Sequence, residues 1–442
     1  MRISKIRGAS LGILLSSRPE IRGNGPRESG VSDVLAYRRR PLVLALLSFL
    51  MFGAQLPSSA YATSVSSVPQ RTWGTDGRVF SLAKAGQNVF LTGNFSHLVN
   101  PATGATLVAG NVAALDAATG QPVPSFSVGT NGAILAAAVS PDGKTLYLAG
   151  TFTKVSGKAR SRLAAVSATS GALLPWAPAA TASVHAILPL ADKVIVGGDF
   201  TQLNGKPVKR IGAVDTAKGA LVPGWTATAS CRVQALAVSA DGSQIYAGGY
   251  AQYWDGVDHP GLARLSASTG ALDTSFDAQY LPNSQLCDPT HSHDGMNPFA
   301  ITVGPYALLV AVGGLRNDLD ALSFNGSVYW RDRADGDFQT VVMLGNDIYA
   351  GGHFVDEFID RCGTHQAPVH LIKVNALGGC QDTSWVADMT TPNKAGHYYG
   401  VWSLLTSGNS LYVGGEFQRT YTLVNGKGRT YQTPSYAVFP GT

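Results

Sequence analysis

The chain has 442 residues, 45% of them hydrophobic and only 14% charged, with 51 glycines, a composition suited to an extracellular β-protein with a large core. Its formal net charge of +5 is misleading, because residues 1–62 alone contribute +6 and the remainder carries −1. That balance excludes nucleic-acid binding through a generally basic surface.

The first element in chain order is a leader. Arg38-Arg39-Arg40 precedes an apolar run from Leu42 to Phe52, and Ala60-Tyr61-Ala62 offers a small-x-small cleavage site. This reads as a secretory signal peptide, too short to span a membrane as a helix. The paired arginines fit the general secretory route better than a twin-arginine signal, and residues 1–37 read as a mis-called start. Residues 63–442 are then expected to form one domain, exported as a monomer to the medium or the cell wall space without membrane insertion.

Seven copies of one signal follow. They read FLTGNF (Gly93), LYLAGTF (Gly150), VIVGGDF (Gly198), IYAGGY (Gly249), LVAVGGL (Gly314), IYAGGHF (Gly352) and LYVGGEF (Gly415), spaced 57, 48, 51, 65, 38 and 63 residues apart. Such spacing indicates one sheet-sized unit repeated with loop variation. Each unit opens with a strand holding a small residue at its centre: Ser81, Ala136, Ala186, Ala235, Ala300, Thr340 or Ser403. A tight turn such as Pro141-Asp142-Gly143 leads to the strand ending in glycine, where Gly permits a bulge or close backbone approach. The Phe beyond reads as core between sheets. A variable loop, a third strand and a turn such as Asp116-Ala117-Ala118-Thr119-Gly120 follow, and the unit ends near an aromatic: Phe126, Trp176, Trp225, Phe276, Trp330 or Trp385.

Four short strands per unit, seven units and no helical periodicity predict an all-β fold, a seven-bladed β-propeller. The last copy stops after Tyr436-Ala437-Val438-Phe439, while Trp73 precedes the first inner strand. The N-terminal strand is therefore expected to complete the last blade and close the ring.

Cys231, Cys287, Cys362 and Cys380 all follow the leader. In an exported chain they are expected to form disulfides, Cys362 with Cys380 inside one blade and then Cys231 with Cys287.

A propeller binds at the face where its inner strands begin, which also carries the loops after the second strands. The candidates there are Asp199, Tyr253, Trp254, Asp255, His291, His293, Asp294, His353, His397, Tyr398, Tyr399 and Glu416. Their His and carboxylate groups suit acid–base chemistry or a metal ion, the metal candidates being His291, His293 and His353. The competing reading makes them polar loop residues at a solvated channel mouth. No nucleophile elbow, zinc helix or phosphate loop is present, so no cofactor is expected beyond that metal reading. Trp402, inside an inner strand, reads as core.

The repeat of the form [IL]-Y-[VA]-G-G-x-F, then G-K, then [LI]-A-A-[VL]-D-x-x-T-G, is carried by Leu146–Pro175, Val194–Trp225, Ile245–Phe276 and, more loosely, Leu411–Phe439. It resembles the delta-sixty-type repeat of secreted, actinobacterial-type β-propellers, and the similarity extends over essentially all of 72–442. Blade five departs most, with Gly314-Leu315 in place of Gly-x-Phe. The resemblance implies fold and export but brings no catalytic residues. Two functions follow as expectations: a non-enzymatic extracellular binding or scaffold module for protein or glycan, or a secreted hydrolase or lyase using the His/Asp/Glu cluster.

Overall fold

Runs of Val, Ile, Leu and Tyr interrupted every few residues by turn-forming Asp, Asn, Ser and Gly leave room only for short antiparallel strands. The computed structural model describes residues 64–283, 287, 294–392 and 399–442, none of them helical. The fold is all-β. Each of the seven sequence units builds its own sheet, opened by the strands Arg78–Ala85, Ile134–Val139, Val184–Pro189, Val233–Val238, Met296–Val303, Phe338–Leu344 and Gly400–Ser407. In each, this inner strand pairs antiparallel with the strand ending at the recurring glycine, and that strand pairs with a third. We number the sheets 1 to 7 in chain order.

All seven inner strands carry a register shift at the same place. In sheet 3, for example, Val184 faces Gly198 and Ala186 faces Gly197, so His185 is left without a partner. A bulge of this kind bends the strand and re-aims the extra side chain. It also explains the glycines. A β-carbon on Gly93 would sit 2.0 Å from the Arg78 carbonyl oxygen, one on Gly352 2.0 Å from that of Asp337, and one on Gly415 2.1 Å from that of Gly400. The preceding glycine makes room for the next sheet. A β-carbon on Gly197 would lie 2.6 Å from Val233 Cγ1, on Gly351 2.4 Å from Val401 Cγ1, and on Gly414 2.6 Å from Val79 Cγ1.

The small residue after each bulge also faces a neighbouring sheet. Three of these residues carry hydroxyls that accept backbone N–H groups there: Ser81 from Ala137 at 3.1 Å, Thr340 from Leu404 at 3.1 Å and Ser403 from Leu82 at 3.0 Å. The core is correspondingly divided into apolar clusters between successive sheets. One joins Phe90 and Phe126 to Leu146 and Phe152, another Tyr349 and Leu371 to Val401 and Val413. A further cluster joins Val79 and Leu91 of sheet 1 to Tyr412 and Val438 of sheet 7. The Phe beyond the glycine is buried wherever it occurs, at Phe95, Phe152, Phe200, Phe354 and Phe417.

The N-terminal segment lies along the third strand of sheet 7, Tyr436–Phe439: Gln70 N–H donates to Val438 O and Ser66 N–H to Pro440 O, both at 2.8 Å. Trp73 Nε1 donates to Gln121 at the terminal turn of sheet 1, much as Trp176 Nε1 donates to Asp215 O at the terminal turn of sheet 3.

Two expectations change. The fourth strand is complete only in sheet 5 (Val328–Ala334) among the described residues; in sheets 1, 2, 3, 4 and 6 it shrinks to an isolated bridge such as Val166↔Leu173. In sheets 1 to 3 a proline (Pro124, Pro175, Pro223) follows the last residue that donates to the third strand, so the ladder has no further N–H to use. The variable loop after the second strand is also more regular than expected. In sheets 2, 3, 4 and 7 it is a hairpin turning at Ser156-Gly157, Asn204-Gly205, Asp255-Gly256 and Asn425-Gly426, with φ positive at both residues. These dipeptides are the local signal for that turn. Sheet 5 lacks such a hairpin, the strand Asp318–Leu322 following its glycines directly.

Disulfides join Cys231 to Cys287 and Cys362 to Cys380. The first begins beside the inner strand of sheet 4. The second ties the outer loop of sheet 6 to its terminal turn.

Candidate functional site

The bulges converge. Their extra residues are Phe80, Leu135, His185, Gln234, Phe299, Gln339 and Trp402, and all seven line one cavity of about 680 Å³. The cavity lies where the inner strands begin. Its wall is completed by Arg232, by Tyr250 and His353 beyond the glycines, and by Asn317, Asp335 and Asp337.

A second pattern organises the rim. In sheets 1, 4 and 6 the residue two before the bulge bonds to the end of the glycine strand of the preceding sheet. Arg78 of sheet 1 pairs with Glu416 of sheet 7, its Nε 2.6 Å from Oε2. Arg232 of sheet 4 pairs with Asp199 of sheet 3, Nε to Oδ1 at 2.9 Å. Asp337 of sheet 6 accepts the Gly314 N–H of sheet 5 at 3.0 Å. Both arginines also cover rings, Arg78 lying 4.9 Å from the centroid of Trp402 and 5.5 Å from that of Phe80, and Arg232 5.5 Å from that of Tyr250. Phe80 and His353 meet Trp402 edge to face, at 5.3 and 4.6 Å.

Asp199 has a second partner, since His185 Nε2 lies 2.9 Å from its Oδ2. Burial pushes the Asp199 carboxyl up, but the hydrogen bonds from His185 and Arg232 outweigh it and hold the group well below the usual carboxylate range. An ionised carboxylate only accepts, so His185 Nε2 carries a proton and donates. Burial pushes the His185 ring below its ordinary value; the bond to Asp199 opposes this and nearby Arg232 adds to it. Burial likewise pushes the Tyr250 hydroxyl up to about 12.

Glu416→Gln is expected to cost about 1 kcal/mol, since the Arg78–Glu416 pair is only partly shielded from water. Urea unfolding of Glu416→Gln, Arg78→Met and the double variant measures the pair, and additive losses would remove it as a stabilising contact.

The candidates read from sequence separate into groups. Asp199, His353 and Glu416 stand at the cavity or its rim. Tyr253 is exposed on the sheet 4 hairpin, whereas Trp254 is fully buried in the core with Trp225 and Ala263. That corrects its place on a binding face, because alternation along a two-residue strand turns Trp254 inward when Tyr253 points out. Asp255 is a turn residue, accepting the Thr228 N–H at 2.7 Å. Asp294 and Tyr399 are half-buried, each bordering an undescribed segment. His291, His293, His397 and Tyr398 lie outside the described residues. Among the described residues no group of three or more His, Cys, Asp or Glu is placed to hold a metal ion. Trp402 reads as core from its strand position but lines the cavity. His185, Arg78 and Arg232 were not singled out from the sequence. The available signal was the repeat itself: the position before the central small residue changes from unit to unit while its neighbours hardly do.

Residues 240–276, from the Asp241-Gly242 turn of sheet 4 to Phe276, match the model of a family described as a domain of unknown function (DUF5122) beta-propeller. The match supports a β-propeller family. No curated protein matches the chain. Among solved structures the chain is similar to the computationally designed Ika8 protein, at 13% identity and a TM-score of 0.45, covering 82% of this chain and 100% of that one. The matched residues contain the glycine-ended strand Gln244–Gly249 and the third strand Leu262–Ser266.

Proposed function

We propose that this protein is a secreted, non-enzymatic binding module: a seven-bladed propeller, closed by its N-terminal strand, that recognises an extracellular protein or glycan through the cavity on its axis. The ring is supported by the apolar cluster and the Ser403–Leu82 hydrogen bond between sheets 7 and 1, and by residues 66–70 along the last strand. Export is supported by the leader and by two disulfides; no described helix is long and apolar enough to cross a membrane. The sequence resemblance to secreted delta-sixty-type propellers fits the same reading.

One observation carries the binding function. Seven bulges place one side chain per sheet on a common cavity, at a position where the repeat holds Phe, Leu, His, Gln, Phe, Gln and Trp. The scaffold demands a bulge there but no particular side chain, which is how a repeat protein builds an asymmetric binding surface on a symmetric frame. Asp199, held ionised by its bonds to both His185 and Arg232, is unable to act as a general acid.

The test screens the full-length exported protein against immobilised extracellular glycans and peptides. Phe299→Ala and Gln234→Ala should remove the binding found, and Lys144→Ala, on the turn at the opposite end of the strands, should leave it intact. Binding that survives both cavity substitutions, or substrate turnover that His185→Ala abolishes, would overturn the proposal.

A further inference from the structure

We infer that the ligand of the axial cavity is a carbohydrate, bound by an uncharged end of one or two sugar residues; this rests on the binding reading above. The arginines around the cavity are already paired within the protein. Arg78 pairs with Glu416, and Arg232 and His185 both bond to Asp199. The two carboxylates on the wall are occupied by backbone donors, Asp335 by the N–H groups of Val355 and Asp356, and Asp337 by that of Gly314. The Asp335 bonds belong to the scaffold, for Asp76 and Asn131 hold the hairpins of sheets 1 and 2 in the same way. An anionic ligand would have to break one of the arginine pairs or go unpaired in a half-buried site, which is costly.

What the wall offers instead is amphipathic. It combines rings at Phe80, Phe299 and Trp402 with amides at Gln234, Gln339 and Asn317. A pyranose presents the complementary chemistry. Its C–H face packs on rings, and each hydroxyl both donates and accepts, so it suits a wall that mixes rings with amides. An extended peptide would bring backbone groups needing a ladder of partners, which the cavity wall does not supply. The cavity volume, about 680 Å³, falls within the size range of small-ligand sites.

The experiment titrates full-length protein, followed by tryptophan fluorescence and calorimetry. The probes are neutral oligosaccharides of glucose, galactose, mannose and N-acetylglucosamine, with uronic-acid oligosaccharides and a hexapeptide library as comparison arms. At least one neutral sugar is expected to bind, Phe299→Ala and Gln234→Ala each weakening it tenfold or more. Gln339→Leu, which keeps the side-chain volume, should weaken it as well, and a thermal melt matching the parent separates lost contacts from lost folding. Binding confined to charged oligosaccharides or to peptides, yet still sensitive to these substitutions, would overturn the carbohydrate assignment while leaving the cavity as the binding site. Binding of any probe that ignores all three substitutions would overturn both. No binding in any arm would also overturn the carbohydrate assignment.

Discussion

Gly352→Ala is expected to destabilise the protein by about 3 kcal/mol or more, because a β-carbon there would lie 2.0 Å from the carbonyl oxygen of Asp337 on the paired strand. The obstacle is backbone rather than a side-chain tip, so relief requires the bulge itself to move. Gly129→Ala is the control: its β-carbon would meet nothing closer than 3.9 Å, and a change within about 0.5 kcal/mol is expected. Gly414→Ala extends the test to the proposed ring. Its β-carbon would lie 2.6 Å from Val79 Cγ1, a contact between sheets 7 and 1. If those sheets pack together in solution, this variant loses stability as Gly351→Ala should, whose obstacle is Val401 Cγ1 at 2.4 Å. Urea unfolding measures all four. A Gly414→Ala protein as stable as Gly129→Ala would refute closure between the first and last sheets, and a harmless Gly352→Ala would refute the steric account of the repeat.

The second large effect is electrostatic. Asp332, on the fourth strand of sheet 5, is 1% exposed. Its Oδ1 accepts the Arg361 N–H at 3.1 Å, and its Oδ2 has no partner among the described residues. Burial raises its carboxyl to about 7; the Arg361 N–H opposes this, and the neighbouring Asp360 adds to it. The folded protein therefore retains a proton that the unfolded chain, titrating near 3.8, releases. The stability this group contributes is fully present below pH 4 or so, falls as pH rises toward 7, and is lost above it. Asp332→Asn keeps the acceptor and cannot ionise. It should match the parent near pH 4 and exceed it by up to about 4 kcal/mol at pH 8. Urea unfolding across this range decides the matter: an Asp332→Asn protein no more stable than the parent at pH 8 would mean that Asp332 is not held protonated.

Much of the fold was legible along the chain because its determinants are short-range. The Asp-Gly turn at 142–143 and the Asp116 to Gly120 turn act within five residues, and both form as expected, with φ positive at Gly143 and Gly120 and Asp116 accepting the Thr119 N–H. The Asn-Gly and Asp-Gly hairpins after the second strands were equally local and could have been read from the same chemistry. The shortened fourth strands were signalled by Pro124, Pro175 and Pro223. The candidate site was less legible. Post-glycine residues such as Asp199, His353 and Glu416 could be found because they break a repeated pattern. Trp254 could not be separated from Tyr253, since one step along a strand reverses the side-chain direction.

By itself, then, the sequence determined how many sheet units there are, where each turns and which positions must be small, because strand, turn and repeat chemistry act over a few residues and recur. Only the tertiary structure decided which side chains meet in the cavity. A bulge adds a single residue and re-aims it, so His185 and Gln234 read along the chain as ordinary strand residues while lining the cavity in the fold. The partners that define the rim lie far apart in sequence, Arg78 and Glu416 by 338 residues. That encounter depends on the packing of sheets 1 and 7, which no local pattern encodes.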